Sequence, residues 1–290
     1  MRTPPPRPWL ALSLAAIAIS TAAPLFRLAA PTHPIIAAAT RLSVAALLLT
    51  PWSLPALRKL RGAHREIGLL GGAGLCYALH FGAWVWSLSL TSVAASVSLV
   101  TITPLLLGLL GWGTGRDAPS RALWVGLALA SLGVLTISAG APQSLGAGEL
   151  LALLGAAAMA GYLLCARRLQ THLSPWALMG AAAGLGALFL WGAAFASGVP
   201  RMLSPGAWAP LLAAALLPQL VGHGLLTRAL QRVSPAEVAL FTLAEPPLSG
   251  LFAWLLFAEL PPLEVLFGGG LILAGLCLTQ LAERREAAAP

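Results

Sequence analysis

The chain has 290 residues, of which 58% are hydrophobic and only 9% charged. Soluble domains carry about 25% charge, so the composition excludes a soluble catalytic domain and points to the membrane. The net charge of +8 lies in short clusters between apolar runs rather than in one basic patch, which argues against a nucleic-acid partner.

Ten apolar segments follow one another, at 9–26, 34–53, 67–88, 92–113, 122–140, 149–166, 175–197, 207–227, 235–257 and 265–282. Each is of a length that can cross a bilayer at about 1.5 Å rise per residue. The expected fold class is an all-α integral membrane protein; a β-barrel would show short alternating segments instead. The start, "MRTPPPRPWLALSLAAIAISTAAPLFRLAA", is read as a retained first span, with a cleaved signal peptide as the alternative. Span two carries Arg41, about 10 Å from the outer surface by helical rise. Span three places Tyr77, His80, Trp84 and Ser87 on one stripe. Spans seven and nine open on capping serines before proline, Ser174-Pro175 and Ser234-Pro235, and Glu237 completes a capping box. Span eight has Gln219 and His223 one turn apart beside Pro218. In span nine, "FTLAEPPLSG" puts Thr242, Glu245 and Ser249 on one face and follows the acid with Pro246 and Pro247. Span ten is Gly-rich, as close helix packing requires. Cys76, Cys165 and Cys277 fall inside apolar runs and read as packing residues, with no metal site or disulfide framework among them.

Lysine and arginine set the direction. With the N-terminus in the cytoplasm, 14 of the 17 basic residues fall inside: Arg2, Arg7, Arg58, Lys59, Arg61, Arg65, Arg116, Arg121, Arg167, Arg168, Arg228, Arg232, Arg284 and Arg285. Arg27 and Arg201 fall outside, and Arg41 lies within a span. That bias places both termini in the cytoplasm of a cell or inner membrane. Tryptophans near segment ends (Trp9, Trp52, Trp112, Trp124, Trp176, Trp208) suit an interfacial belt.

Shifting the sequence by 142 residues aligns Pro104 with Pro246, Gly108 with Gly250, Trp112 with Trp254, Asp117 with Glu259, Gly126 with Gly268 and Gly133 with Gly275. The chain therefore divides into two repeats of five spans, 9–140 and 147–282. Five is odd, so the second copy is inverted in the membrane. Inverted repeats supply two related conformations around a midplane site.

The run "TSVAASVSLVTITPLLLGLLGWGTGRDAPSRALWVGLALASLGVLTIS" and its twin "VSPAEVALFTLAEPPLSGLFAWLLFAELPPLEVLFGGGLILAGLCLTQL" carry a resemblance. Each half resembles an EamA domain of the drug/metabolite transporter superfamily. The resemblance implies ten helices, a central cavity between the halves, spans five and ten at the periphery, and transport of small solutes of diverse chemistry. It does not require a glutamate where Glu245 stands, so that residue is argued from physics. A carboxylate facing lipid at the midplane costs about 3 kcal/mol or more, so Glu245 is expected to face the protein interior. Pro246 and Pro247 leave backbone carbonyls free, as broken helices at transporter midplanes do.

The expected solute-binding set is Glu245, His80, Gln219, Tyr77, Trp84, Arg41, His223 and Thr242. For His80, His223, Tyr77 and Trp84 ordinary packing is the competing reading, and for Arg41 a structural ion pair. The expected function is a secondary transporter of small metabolites, with amino-acid-like solutes and export favoured. Coupling to proton entry through Glu245, with His80 as relay, stands beside uncoupled facilitation. Lipophilic-cation efflux and import of similar solutes are the alternatives. A sensor and an intramembrane enzyme are remote: the spans hold no aspartate, no His-x-x-x-His and no nucleotide-binding loop. Expected partners are the solute, membrane lipid and protons, a homodimer being compatible with the sequence; no cofactor and no metal are expected.

Overall fold

The computed structural model describes residues 8–60, 62–115, 119–139, 146–258, 260 and 263–288. Among them there is no strand. Nine helices are long and apolar enough to cross a membrane, and the shorter Arg121–Ile137 completes the set of ten. In chain order spans one to ten are Trp9–Leu28, Pro34–Lys59, His64–Ser87, Ala95–Thr114, Arg121–Ile137, Ala147–Leu169, Pro175–Ala196, Trp208–Ala229, Pro235–Phe257 and Leu263–Ala282. The chain is a multi-pass membrane protein.

Local chemistry sets the starts. Ser174 Oγ accepts the Ala177 N–H at 3.3 Å. Ser234 Oγ accepts the Glu237 N–H at 3.2 Å, and Glu237 Oε2 accepts the Ser234 N–H at 2.7 Å. Glu237 is thus a cap, satisfying end groups that the helix itself cannot pair. Span two runs on to Lys59, past the expected end at 53, because Pro51 and Pro55 sit inside it without ending it. Trp9 departs from the interfacial expectation: it is buried and stacks on Phe241 at 5.6 Å, since span one is enclosed by spans eight and nine.

Two inverted five-helix repeats pack about a pseudo-two-fold axis, and named contacts locate it. Spans five and ten cross backbone to backbone: a Cβ on Gly133 would collide with the Gly268 carbonyl oxygen, and one on Gly268 with the Gly133 carbonyl oxygen. Gly275 and Gly126 make the reciprocal contact. The 142-residue offset carries one pair onto the other, as an isologous interface demands. Lipid offers no hydrophobic drive between helices, so glycine-mediated close approach supplies the attraction. The axis also passes through Tyr77 and Gln219, which are 142 residues apart and hydrogen-bonded to each other.

The two ends of the bundle differ in charge. At one end Arg167 donates to the Leu230 carbonyl oxygen and Gln170 to that of Thr227, while His172 lies 3.9 Å from Glu66. Arg228, Arg232 and Pro8 line one surface cavity there. The opposite end holds the Thr32–Ser204 contact at 2.9 Å, with Arg27 over Phe257 at 4.4 Å and Arg201 over Phe195 at 4.7 Å. Asp117, Glu259, Arg2, Arg7, Arg61 and Arg116, and the side chains of Arg284 and Arg285, lie outside the described residues.

Candidate functional site

Both fourth helices of the repeats are broken at equivalent points. Span four consists of Val93–Val100 and Thr103–Thr114, joined through Thr101 and Ile102. Span nine consists of Pro235–Leu240, a tight 3-10 turn at Phe241–Ala244, and Glu245–Phe257. A proline has no N–H to donate, so Pro104 and Pro246 are tolerated at the second position of the outgoing helix, where no donor is needed. Span eight is distorted too: Ala215–His223 is π-helical around Pro218. Such bulges recur at functional sites.

These breaks border a narrow cavity of about 40 Å3 between the halves. His80 and Trp84 of span three, His223 of span eight, and Thr242 and Glu245 of span nine line it. Thr101, Thr103, Met159 and Leu163 add walls that the sequence reading did not single out. The two threonine hydroxyls are unremarkable in an apolar run, as are Met159 and Leu163, and only the repeat match of Thr103 to Glu245 could have flagged one. His80 Nδ1 donates to the Gly155 carbonyl oxygen at 2.9 Å, which leaves Nε2 as the remaining acceptor of the ring. Its ring lies parallel to Trp84 at 6.1 Å and edge-on to Phe81 at 4.5 Å. Trp84 Nε1 is buried without a hydrogen-bond partner among the described residues. Glu245 is 8% exposed and opens the outgoing helix of span nine, where the helix dipole favours its negative charge.

Tyr77 and Gln219 are not in the cavity wall but behind it. Gln219 Nε2 donates to Tyr77 Oη at 2.6 Å. Tyr77 also stacks on Tyr162 at 4.3 Å, the only other tyrosine of the chain, and Tyr162 bonds Thr227 Oγ1 at 3.1 Å. This layer ties spans three, six and eight together, and it is a structural support for the two histidines. Arg41 is wholly buried, with its guanidinium carbon 4.3 Å from the Phe81 ring centre and 5.6 Å from that of Phe26. None of its three guanidinium nitrogens has a hydrogen-bond partner among the described residues. Thr242 and Glu245 line the central cavity, whereas Ser249, one turn further along the outgoing helix, lines the next one.

That next cavity, about 350 Å3, opens toward the weakly charged end between Pro24, Val97, Ser249, Ala253 and Phe257. At the strongly basic end, Leu107, Gly111, Thr114, Leu164, Arg167 and Pro235 line one of about 500 Å3. The repeat offset relates the two: Ser249 corresponds to Leu107, Ala253 to Gly111 and Val93 to Pro235. The central cavity thus lies between two wider spaces that are copies of one another at opposite ends.

Comparison with known proteins gives two findings. A family model described as "EamA-like transporter family" matches residues 7–139 and 146–281. A solved structure titled "Crystal structure of protein" superposes with a TM-score of 0.75 over 96% of this chain and 98% of that one, at 16% identity. At that identity the likeness speaks for the fold. No curated protein sequence matches.

Proposed function

The chain belongs to the EamA-like transporter family, and from that premise we propose that it is a secondary transporter that exports small, amino-acid-like metabolites by alternating access. The carrying observation is Glu245, set at the break of span nine on a central cavity between two repeat-related cavities at opposite ends. A lone acid in mid-membrane is costly and persists where it faces a polar path rather than lipid.

In this reading the broken spans four and nine change partners so that one end cavity opens while the other closes, and the solute crosses through the centre. Glu245 holds the solute's ammonium group on one side of the cycle. After release it takes up a proton, which His80 relays along the cavity wall. Proton entry then drives solute exit. The strongly basic end faces the cytoplasm of a cell or inner membrane, with both termini there, as the excess of Lys and Arg requires.

Purified protein in lipid vesicles tests this. Efflux of an amino-acid and metabolite pool, with and without an imposed pH gradient, should follow the gradient in wild type and lose that dependence in Glu245→Gln. Unchanged flux and gradient response in the variant would remove Glu245 from the mechanism. Gradient-independent flux in both would make the protein a facilitator. Flux of lipophilic cations alone would replace the solute class.

A further inference from the structure

Two charges of opposite sign stand at the centre of the bundle, and neither has a hydrogen-bond partner among the described residues. Arg41 comes from the first repeat and Glu245 from the second. Arg41 is 0% exposed, and its nitrogens have no hydrogen-bond partner among the described residues. Phe26 and Phe81 flank the guanidinium, and their faces attract its charge without satisfying its N–H groups. A buried guanidinium presents five donors in a fixed fork, a shape that matches a carboxylate in bidentate fashion. Phe81 touches both His80 and His223, which line the central cavity, so Arg41 stands one ring behind that cavity's wall. It is within electrostatic reach of Glu245. Trp84 adds a second unpaired donor, Nε1, on the wall itself.

Charge balance then selects the solute. Arg41 and Glu245 together are neutral. A simple cation carried across on Glu245 would leave one positive charge uncompensated throughout the solute's passage, and a simple anion on Arg41 one negative charge. Either is disfavoured where charges cannot be hydrated. In the proposed cycle only the return step, with Glu245 protonated, carries an unbalanced charge. A dipolar solute leaves the sum at zero and gives both groups a partner. We infer that Arg41 is the carboxylate anchor of the solute site, and that the site takes net-neutral α-amino acids with apolar side chains, their ammonium on Glu245 and their carboxylate on Arg41 and Trp84. The inference rests on the transport reading above for the role of Glu245. Contact requires the flexible stem of Arg41 to carry the guanidinium past the edge of Phe81 when a carboxylate arrives. Met159, Leu163, Val100 and Leu226 supply the apolar wall for the side chain.

The test uses the full chain in lipid vesicles with radiolabelled L-alanine, L-leucine and L-phenylalanine. Competitors are the matching amines, which lack the carboxylate, and the matching N-acetyl amino acids, which lack the ammonium. In wild type, at least one of the three should be transported, and both kinds of one-charge analogue should compete at least tenfold more weakly. Arg41→Gln should raise the KM for the amino acid at least tenfold while leaving the affinity for the amine within threefold or improving it. Arg41→Lys, which keeps the charge and loses the fork, should fall between. If Arg41→Gln does not give a monodisperse protein, the analogue selectivity of wild type and the Arg41→Lys result decide. Transport of none of the three, competition by amines as strong as by amino acids, or an unchanged KM in Arg41→Gln overturns the inference. Amine transport that depends on Glu245 and ignores Arg41 would overturn it while leaving the transport reading standing. Flux indifferent to both residues would remove both.

Discussion

Thr103 in span four and Glu245 in span nine occupy equivalent positions, each just before a proline and just after a break in its helix. Thr103 closes on itself: its hydroxyl donates to the carbonyl oxygens of Val100 at 3.1 Å and Ala156 at 3.2 Å. Glu245 accepts no hydrogen bond from a described residue and borders the cavity. The same split runs through the rest of the site. Arg41 corresponds to Ala183, Phe81 to His223, Tyr77 to Gln219 and His80 to Gly222. The halves share a backbone plan and divide the chemistry between them. In the proposed transport cycle, symmetry serves the movement, while asymmetry serves the solute.

Breaking the shared plan should cost most. Gly133→Leu drives a side chain into the backbone at Gly268, and overpacking of this kind costs about 3 kcal/mol. Thermal unfolding in detergent should show a marked fall in the melting temperature, and Gly275→Leu should match it because the 142-residue offset makes it the equivalent position, set against the Gly126 carbonyl oxygen. Loss from only one of the two would argue against an isologous crossing.

Erasing the asymmetry at the break comes next. Glu245→Thr gives the second half the residue of the first and removes a charge-assisted contact worth roughly 1.5–3 kcal/mol, so vesicle flux should fall about 10- to 100-fold. The melting temperature should change little, since the cost of the buried acid goes while Arg41 loses its charge balance. Flux close to wild type would show that the two breaks are chemically interchangeable.

His223→Phe extends the first half's residue to span eight. His223 contributes ring contacts to Tyr77, His80 and Phe81, and phenylalanine keeps them. A loss of a few-fold in flux with unchanged stability is expected; loss of folded protein instead would make the histidine structural. The smallest effect belongs to Pro218→Ala. Span three is regular where span eight is π-helical. Restoring the missing N–H should change stability by about 1 kcal/mol, within the cost usually ascribed to such a proline. A reduced exchange rate at unchanged KM would identify the bulge as part of the motion.

Much of this was legible in the sequence because the signals are local or repeat-bound. Apolar length placed the ten spans, serine–proline pairs placed the starts of spans seven and nine, and one offset revealed the inversion. Glu245 and His80 were legible because polar groups in an apolar run must be accounted for. What escaped was set by packing between distant segments. No local pattern tells that Phe26 and Phe81 flank Arg41, or that Tyr162 meets Tyr77. Nor could helical periodicity separate Tyr77 from His80, since both share the buried stripe and only the neighbouring spans decide which one reaches the cavity. Nor does a helical wheel show that Ser249, one turn beyond Glu245 on the same regular helix, reaches a different cavity, since depth in the bundle decides that.

The hydrogen bond from Gln219 to Tyr77 has a further meaning. In an assembly of two identical subunits, a side chain on the symmetry axis meets its own copy: tyrosine faces tyrosine, or glutamine faces glutamine. Joining both halves in one polypeptide lifts that restriction. The chain can set an amide against a phenol where a dimer of equals could not, and the same freedom lets it hold an acid on one side of the centre and a base on the other. A covalent linker between look-alike halves is thus what would allow a nearly symmetric machine to recognise the two-ended solute proposed above.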